Sequence, residues 1–261
     1  MFFANVMKIV KIITSFLLVL GILILMVWAA FKSNDQTCTG VSMLIHAPGK
    51  SELLTKSDIS NILEQHNISY EGKTIKEIDL ETIHKILAQE NYIQKVDKVH
   101  FLGSKLQIEV TLYDILLEVE AATKQKFLVD VEGFYLPYSP KVGNDVIVAT
   151  GFISNTFQKK EKVSSDNNAL YDLFSVATLI KTDPFYAELF HKLYINDNQE
   201  IILYPSVGNL PVRFGNVQNA EDKLKTLKYM YQEVLPYKDE NTYAQLDVRF
   251  KNRIIATKTK S

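Results

Sequence analysis

Residues Glu90–Val110 read ENYIQKVDKVHFLGSKLQIEV, and the fold turns on how this stretch is parsed. Leu106, Ile108 and Val110 alternate with Gln107 and Glu109, which is the period of a strand buried on one face. Gly103-Ser104 interrupts the run with a glycine at the first position of a two-residue turn, where a positive φ is needed. Val96–Tyr113 is therefore expected as a β-hairpin.

Working back from the hairpin, two amphipathic stretches appear. In EIDLETIHKILAQENY (77–92) the residues Leu80, Ile83, Ile86 and Leu87 make one apolar stripe, and Asp79 is placed to cap the helix. In LLTKSDISNILEQHNI (53–68) Ile59, Ile62 and Leu63 recur at helical spacing behind Thr55 or Ser57. Glu71-Gly72-Lys73 is the turn between them. Val41–His46 is short and apolar, a strand. The order is strand, helix, helix, strand, strand.

Downstream of the hairpin the chain is richer in strands. KFLVDVEGFYLPY (126–138) gives two extended runs around Glu132-Gly133, and VIVATGF (146–152) gives another. Asn155–Asn168 reads as a polar loop. A helix is expected over Ala169–Lys181, strands in LYINDNQEIILYP (193–205) and LPVRFG (210–215), and a second helix over Glu221–Leu235. TYAQLDVRFKNRIIATK (242–258) reads as one closing strand with alternating faces. Strands and helices mix without a βαβ rhythm, so the class is α+β, with a mainly antiparallel sheet in the second part.

Ile12–Phe31, IITSFLLVLGILILMVWAAF, contains no charged residue. At about 1.5 Å per residue it matches the roughly 30 Å hydrocarbon core. It is longer than the about 7–15 apolar residues of a signal peptide, and Trp28-Ala29-Ala30-Phe31 is a poor cleavage site. Asp35-Gln36-Thr37 before Cys38 are not the small apolar residues of a lipoprotein signal. An uncleaved transmembrane helix over 12–31 is expected. Lys8 and Lys11 favour a cytoplasmic tail at 1–11, although Lys32 weakens the contrast.

Composition limits what the exported part does. The 261 residues are 47% hydrophobic and 23% charged, with a net charge of -1, so no basic face for nucleic acid is expected. The single cysteine, Cys38, excludes an internal disulfide. No nucleophile elbow, zinc-binding pair, P-loop or dinucleotide fingerprint occurs. His46, His66, His84, His100 and His191 are scattered. Asp114 with Glu118, and Asp239 with Glu240, read as solvated carboxylates rather than an acid and base. No catalytic, cofactor or metal residue is assigned.

The order of these pieces resembles a known family. Val41–Tyr113 is similar to a POTRA domain, with ENYIQKVDKVHFLGSKLQIEV matching the end of its second helix and its hairpin. FLVDVEGFYLP, VATGF, EIILYP, RFG, the helix carrying Lys223, Leu224 and Leu227, and AQLDVRF follow in the order of the FtsQ/DivIB cell-division proteins. The resemblance implies a POTRA domain at 40–114 and an FtsQ-like β domain at 115–261. It implies a single-pass, non-enzymatic scaffold of the inner membrane at the division septum, with its domains outside the cytoplasm. It further implies FtsB-like and FtsL-like partners, other division proteins at the POTRA domain, and a role in septal peptidoglycan synthesis. A membrane-anchored cell-wall enzyme and a POTRA-type chaperone are the competing readings.

In the family the last long strand receives a strand from its partner. Carried over, the partner-binding residues are Gln245, Leu246, Asp247, Val248, Arg249 and Phe250, with Phe250 standing where the family commonly has tyrosine. An edge strand suits this role because its N–H and C=O groups are unpaired on one side. On this reading Arg249 is a solvent-facing charge that captures an acidic segment.

Overall fold

The computed structural model describes residues 14, 16–28, 36–49, 51–143, 146–159, 161–165, 168–238, 242–251 and 253–259. Contacts divide the chain into one unit of residues 1–46, 56–90 and 95–110, and a second of 47–55, 91–94 and 111–261.

The first unit carries β1 (Gly40–His46), α1 (Lys56–Gln65), α2 (Leu80–Gln89), β2 (Ile93–Leu102) and β3 (Lys105–Leu112), the expected strand-helix-helix-strand-strand order. Its sheet is ordered β1-β3-β2. Gly103 has φ 63°, as the tight hairpin requires. The carboxylate of Asp79 accepts from the N–H groups of Glu81 and Thr82 at 3.0 and 3.1 Å, so α2 starts where a cap was expected. Ile59 and Leu63 of α1, Ile83 and Leu87 of α2, and Leu106, Ile108 and Val110 of β3 are all fully buried. Each such side chain contributes roughly 1.5–3 kcal/mol by leaving water, and together they form a small core. Cys38 is buried, with its thiol directed to the Gly40 carbonyl.

Of the expected membrane span, Thr14 and Phe16–Trp28 are described and helical. Every one of these residues except Gly21 is exposed. Among the described residues no helix is long and apolar enough to cross a membrane. Residues 12, 13, 15 and 29–31, and the flanking Lys8, Lys11 and Lys32, lie outside the described residues.

The second unit is built on a nine-stranded sheet. Its strands are β4 (Ile115–Glu120), β5 (Lys126–Asp130), β6 (Tyr135–Pro137), β7 (Ile147–Gly151), β8 (Phe190–Ile195), β9 (Ile201–Pro205), β10 (Val212–Gly215), β11 (Tyr243–Asp247) and β12 (Ile255–Lys258). The order is β12-β11-β10-β9-β8-β7-β4-β5-β6. Three pairings are parallel (β4 with β7, β7 with β8, β10 with β11) and five antiparallel, so the sheet is mixed but mainly antiparallel, as expected. Helices α3 (Asn168–Thr182), α4 (Pro184–Leu189) and α5 (Ala220–Tyr229) accompany it. Leu170, Leu173, Ala177 and Ile180 of α3 join Leu193, Leu203, Phe214, Leu224, Leu227 and Leu246 in one core.

Four elements differ from the sequence reading. β4 was not foreseen. α4 is a six-residue helix opened by Pro184 and capped by Asp183, whose carboxylate accepts from Phe185 N–H at 2.9 Å. The helix expected to run to Leu235 ends as α-helix at Tyr229 and continues as a π-turn (Met230–Val234) and a 3₁₀ turn (Leu235–Tyr237). Pro236 brings no N–H with which to continue the ladder. The closing strand is two strands, β11 and β12, folded back on each other.

Candidate functional site

The C-terminal end of the sheet is organised by four charges. Arg249 donates from Nη2 and Nε to the Asp247 carboxylate at 2.7 and 3.0 Å, and from Nη1 to Glu200 Oε1 at 2.6 Å. Arg213 donates to Glu200 Oε2 from Nη2 and Nε at 2.6 and 3.0 Å. These are charge-assisted, forked bonds. Arg213 and Asp247 are register partners across β10 and β11, so the network lies on the face opposite the buried Val212, Phe214 and Leu246.

The hydrogen bonds from Arg213 and Arg249 hold the Glu200 carboxyl below its ordinary range, against the opposing effect of burial. Burial pushes the Asp247 carboxyl up, and the bonds from Arg249 more than offset this, leaving it lowered. The bonds to Asp247 and Glu200 raise the Arg249 guanidinium. Arg249 also packs beside Gly215, which has φ 77° and where a Cβ would stand 2.8 Å from the arginine Cγ.

Arg249 is thus an internal clamp on Asp247 and Glu200, not the solvent-facing charge expected. Its backbone N–H closes on Asp247 Oδ1 at 3.1 Å, and this turn ends β11. Arg253 N–H then donates to the Phe250 carbonyl at 3.4 Å, reversing the chain into β12.

The expected partner-binding residues therefore separate. Gln245, Leu246 and Asp247 lie in β11, while Val248, Arg249 and Phe250 lie beyond it. Leu246 and Val248 are buried, and their N–H groups donate to Pro211 and Arg213 of the β10 side at 3.1 and 3.0 Å. The other side of β11 pairs with β12, as Gln245↔Thr257, Leu246↔Ala256 and Asp247↔Ile255. The expectation that Gln245–Phe250 forms a sheet edge is thus overturned, because β11 has a neighbour on both sides. Phe250 is 44% exposed, under the Arg249 guanidinium at 5.7 Å.

The edge is β12. Since Leu246 turns its N–H toward β10, Gln245 and Asp247 turn theirs toward β12. Their partners Thr257 and Ile255 face inward, and Thr259 N–H donating to the Thr242 carbonyl at 3.2 Å keeps the same parity. Ala256 and Lys258 are left with N–H and C=O directed away from the sheet. Ile255 beside them is 47% exposed. The opposite edge, β6, is occupied differently. Tyr135 N–H donates to the Glu161 carbonyl and Val163 N–H to the Gly133 carbonyl, both at 2.9 Å, so the segment 161–163 covers it.

Two sequence signals marked the missed edge. A 17-residue strand exceeds the usual length of roughly 3–10, and Lys251-Asn252 is turn chemistry. Behind the 248–253 connection, Lys223 of α5 donates to the Asn216 carbonyl at 2.7 Å and stands 5.0 Å over the Phe214 ring. Burial lowers its ammonium pKa.

The carboxylates weighed as acid and base are committed elsewhere. Asp114 accepts from Lys181 at 2.7 Å inside a cavity of about 580 Å³, and Glu118 accepts from Lys126 at 2.9 Å. Asp239 and Glu240 lie outside the described residues.

Two family models match the chain. Residues 36–111 match the POTRA-like domain, and residues 116–257 match the domain described as FtsQ/DivIB, C-terminal related. No curated protein matches. The second match covers more than half of the sequence and spans β4 to β12, the sheet whose free edge has just been described. The chain belongs to the FtsQ/DivIB family.

Proposed function

We propose that this chain is a non-enzymatic cell-division scaffold that receives a partner's strand on β12. The supporting observation is the edge strand itself: among the described residues Ala256 and Lys258 direct their N–H and C=O groups away from the sheet, beside the exposed Ile255. A strand laid there gains main-chain hydrogen bonds from β12 and apolar contact from Ile255. The site thus moves one strand outward from Gln245–Phe250, whose role becomes to hold β12 in place. Family membership supports FtsB-like and FtsL-like proteins as partners, the septum as the location and regulation of septal peptidoglycan synthesis as the outcome. Other division proteins would meet the POTRA domain, residues 40–114, with the β domain at 115–261. The uncharged run 12–31 serves as a single-pass anchor in the cytoplasmic membrane, with 1–11 inside and the two domains outside.

The test is a proline scan of β12 in the full-length protein in detergent, titrated calorimetrically with the soluble segment of the FtsB-like partner. Proline removes one N–H donor. Ala256→Pro removes an outward donor, and is expected to abolish binding with the thermal transition little changed. Thr257→Pro removes an inward donor and is expected to detach β12 from β11, lowering the transition. Full binding by a folded Ala256→Pro variant would sink strand addition at this edge.

A further inference from the structure

The first unit grips the chain just after the apolar run. Cys38 N–H donates to the Lys73 carbonyl at 2.8 Å, Gly72 N–H to the Cys38 carbonyl at 3.0 Å, and Ile75 N–H to the Gln36 carbonyl at 3.0 Å. Thr39 N–H donates to the Ser104 carbonyl at 2.9 Å, and the two hydroxyls lie 3.0 Å apart. Residues 36–39 are therefore fastened to two loops at once, the α1–α2 loop and the tip of the β2–β3 hairpin.

This fixes how far those loops can stand from the bilayer, given the reading that residues 12–31 span it. Only four residues separate Phe31 from Gln36. Five fully extended steps reach no more than about 18 Å. The headgroup layer outside the hydrocarbon takes up roughly 5–7 Å of that. Leu102 lies two residues from Ser104, so the hairpin tip is within reach of the headgroups.

The two loops expose a matching set of side chains. Leu102, the last residue of β2, is 69% exposed. Lys105 on the other limb of the hairpin is exposed, as are Lys73 and Lys76 on the α1–α2 loop. Glu71 is exposed there too, while Glu77 is turned back to accept from Thr74 N–H at 3.0 Å. A single exposed leucine is ordinary on any surface. A leucine among lysines, at the end of a unit tethered beside a membrane, has the chemistry of an interfacial contact. The apolar side chain enters the acyl boundary and the ammonium groups meet lipid phosphates.

The geometry points to a second membrane contact besides the apolar run: the tip at Leu102, with Lys73 and Lys105, docks on anionic phospholipid of the same bilayer. The contact orients the first unit over the membrane instead of leaving it to pivot on its tether.

Tryptophan quenching by brominated lipid tests this with the full-length protein in vesicles of mixed zwitterionic and anionic phospholipid. In a Trp28→Phe background, Leu102→Trp is the reporter, Lys105→Trp a second reporter on the same tip, and Leu44→Trp on the exposed face of β1 the control. Circular dichroism checks that each is folded. Emission from both tip reporters is expected to shift to the blue and be quenched, while the control behaves as in water. Adding Lys73→Glu to the Leu102→Trp reporter is expected to weaken the quenching. Tip reporters quenched no more than the control, while Trp28 of the wild type is quenched, would overturn the docking and leave the anchor intact. An unquenched Trp28 would remove both, and quenching indifferent to Lys73→Glu would remove the anionic contact.

Discussion

Arg249 shows how far a residue's role depends on partners distant in sequence. Read alone in LDVRF, it is a cation on the polar face of a strand. Its partner Glu200 sits 49 positions away, and only the β9-β10-β11 pairing brings them to 2.6 Å. No local pattern carries that information, so the alternation of Leu246 and Asp247 was legible but the clamp was not. Arg249→Glu is expected to destabilise the second unit by about 1–2 kcal/mol at neutral pH, discounted because the side chains are partly solvated. The sign with pH follows from the lowered carboxyls of Glu200 and Asp247. In the wild type their contribution is present above the unfolded range of about 4 and fades as pH falls through the lower folded values. In the variant three carboxylates repel one another, which raises their folded pKa values and is relieved on acidification. The gap between variant and wild type should therefore be widest near pH 7 and shrink toward pH 4. Thermal melts across that range check it, and a gap that widens on acidification would contradict the clamp.

Elements with one clean period were legible and elements that change direction were not. The stripes of α1, α2 and α3 and the alternation of β3 rest on neighbours in sequence, so their faces could be assigned. The split of 242–258 depends on Arg249 being drawn onto Asp247, and the short α4 has too few turns to show a period. Gly151 is a local signal whose reason is tertiary. It ends β7 with φ 113°, and a Cβ there would press on the backbone of Ile195, its partner on β8. Gly151→Ala should strain that parallel pairing and lower stability by at least about 1 kcal/mol, seen as a lower denaturation midpoint without loss of secondary structure. An unchanged midpoint would mean the two strands shift apart freely, against the continuous register from Val148 to Gly151.

At the scale of the whole molecule, the two contact units and the two family matches make separable stability a testable expectation. The sequence reading puts a boundary near Tyr113, where the patterning changes from helix-rich to strand-rich. It could not show that residues 47–55 and 91–94 make their contacts with the second unit. The first unit has a small core, in which Ile83 is fully buried on α2. Ile83→Asp places an unpaired carboxylate there at a penalty of several kcal/mol, comparable to the whole stability of about 5 kcal/mol of a domain this small. The variant is expected to open the first unit alone. Hydrogen exchange of the full-length variant should lose protection over β1, α1 and α2 and keep it over β7 to β11. The second unit's larger core, from Leu117 through Leu193 to Leu246, contains none of the affected side chains. Partner capture on β12 should then survive in the same sample. Protection lost across β7 to β11 as well would show that the two units fold as one cooperative body, and would place the control of the edge partly in the first unit.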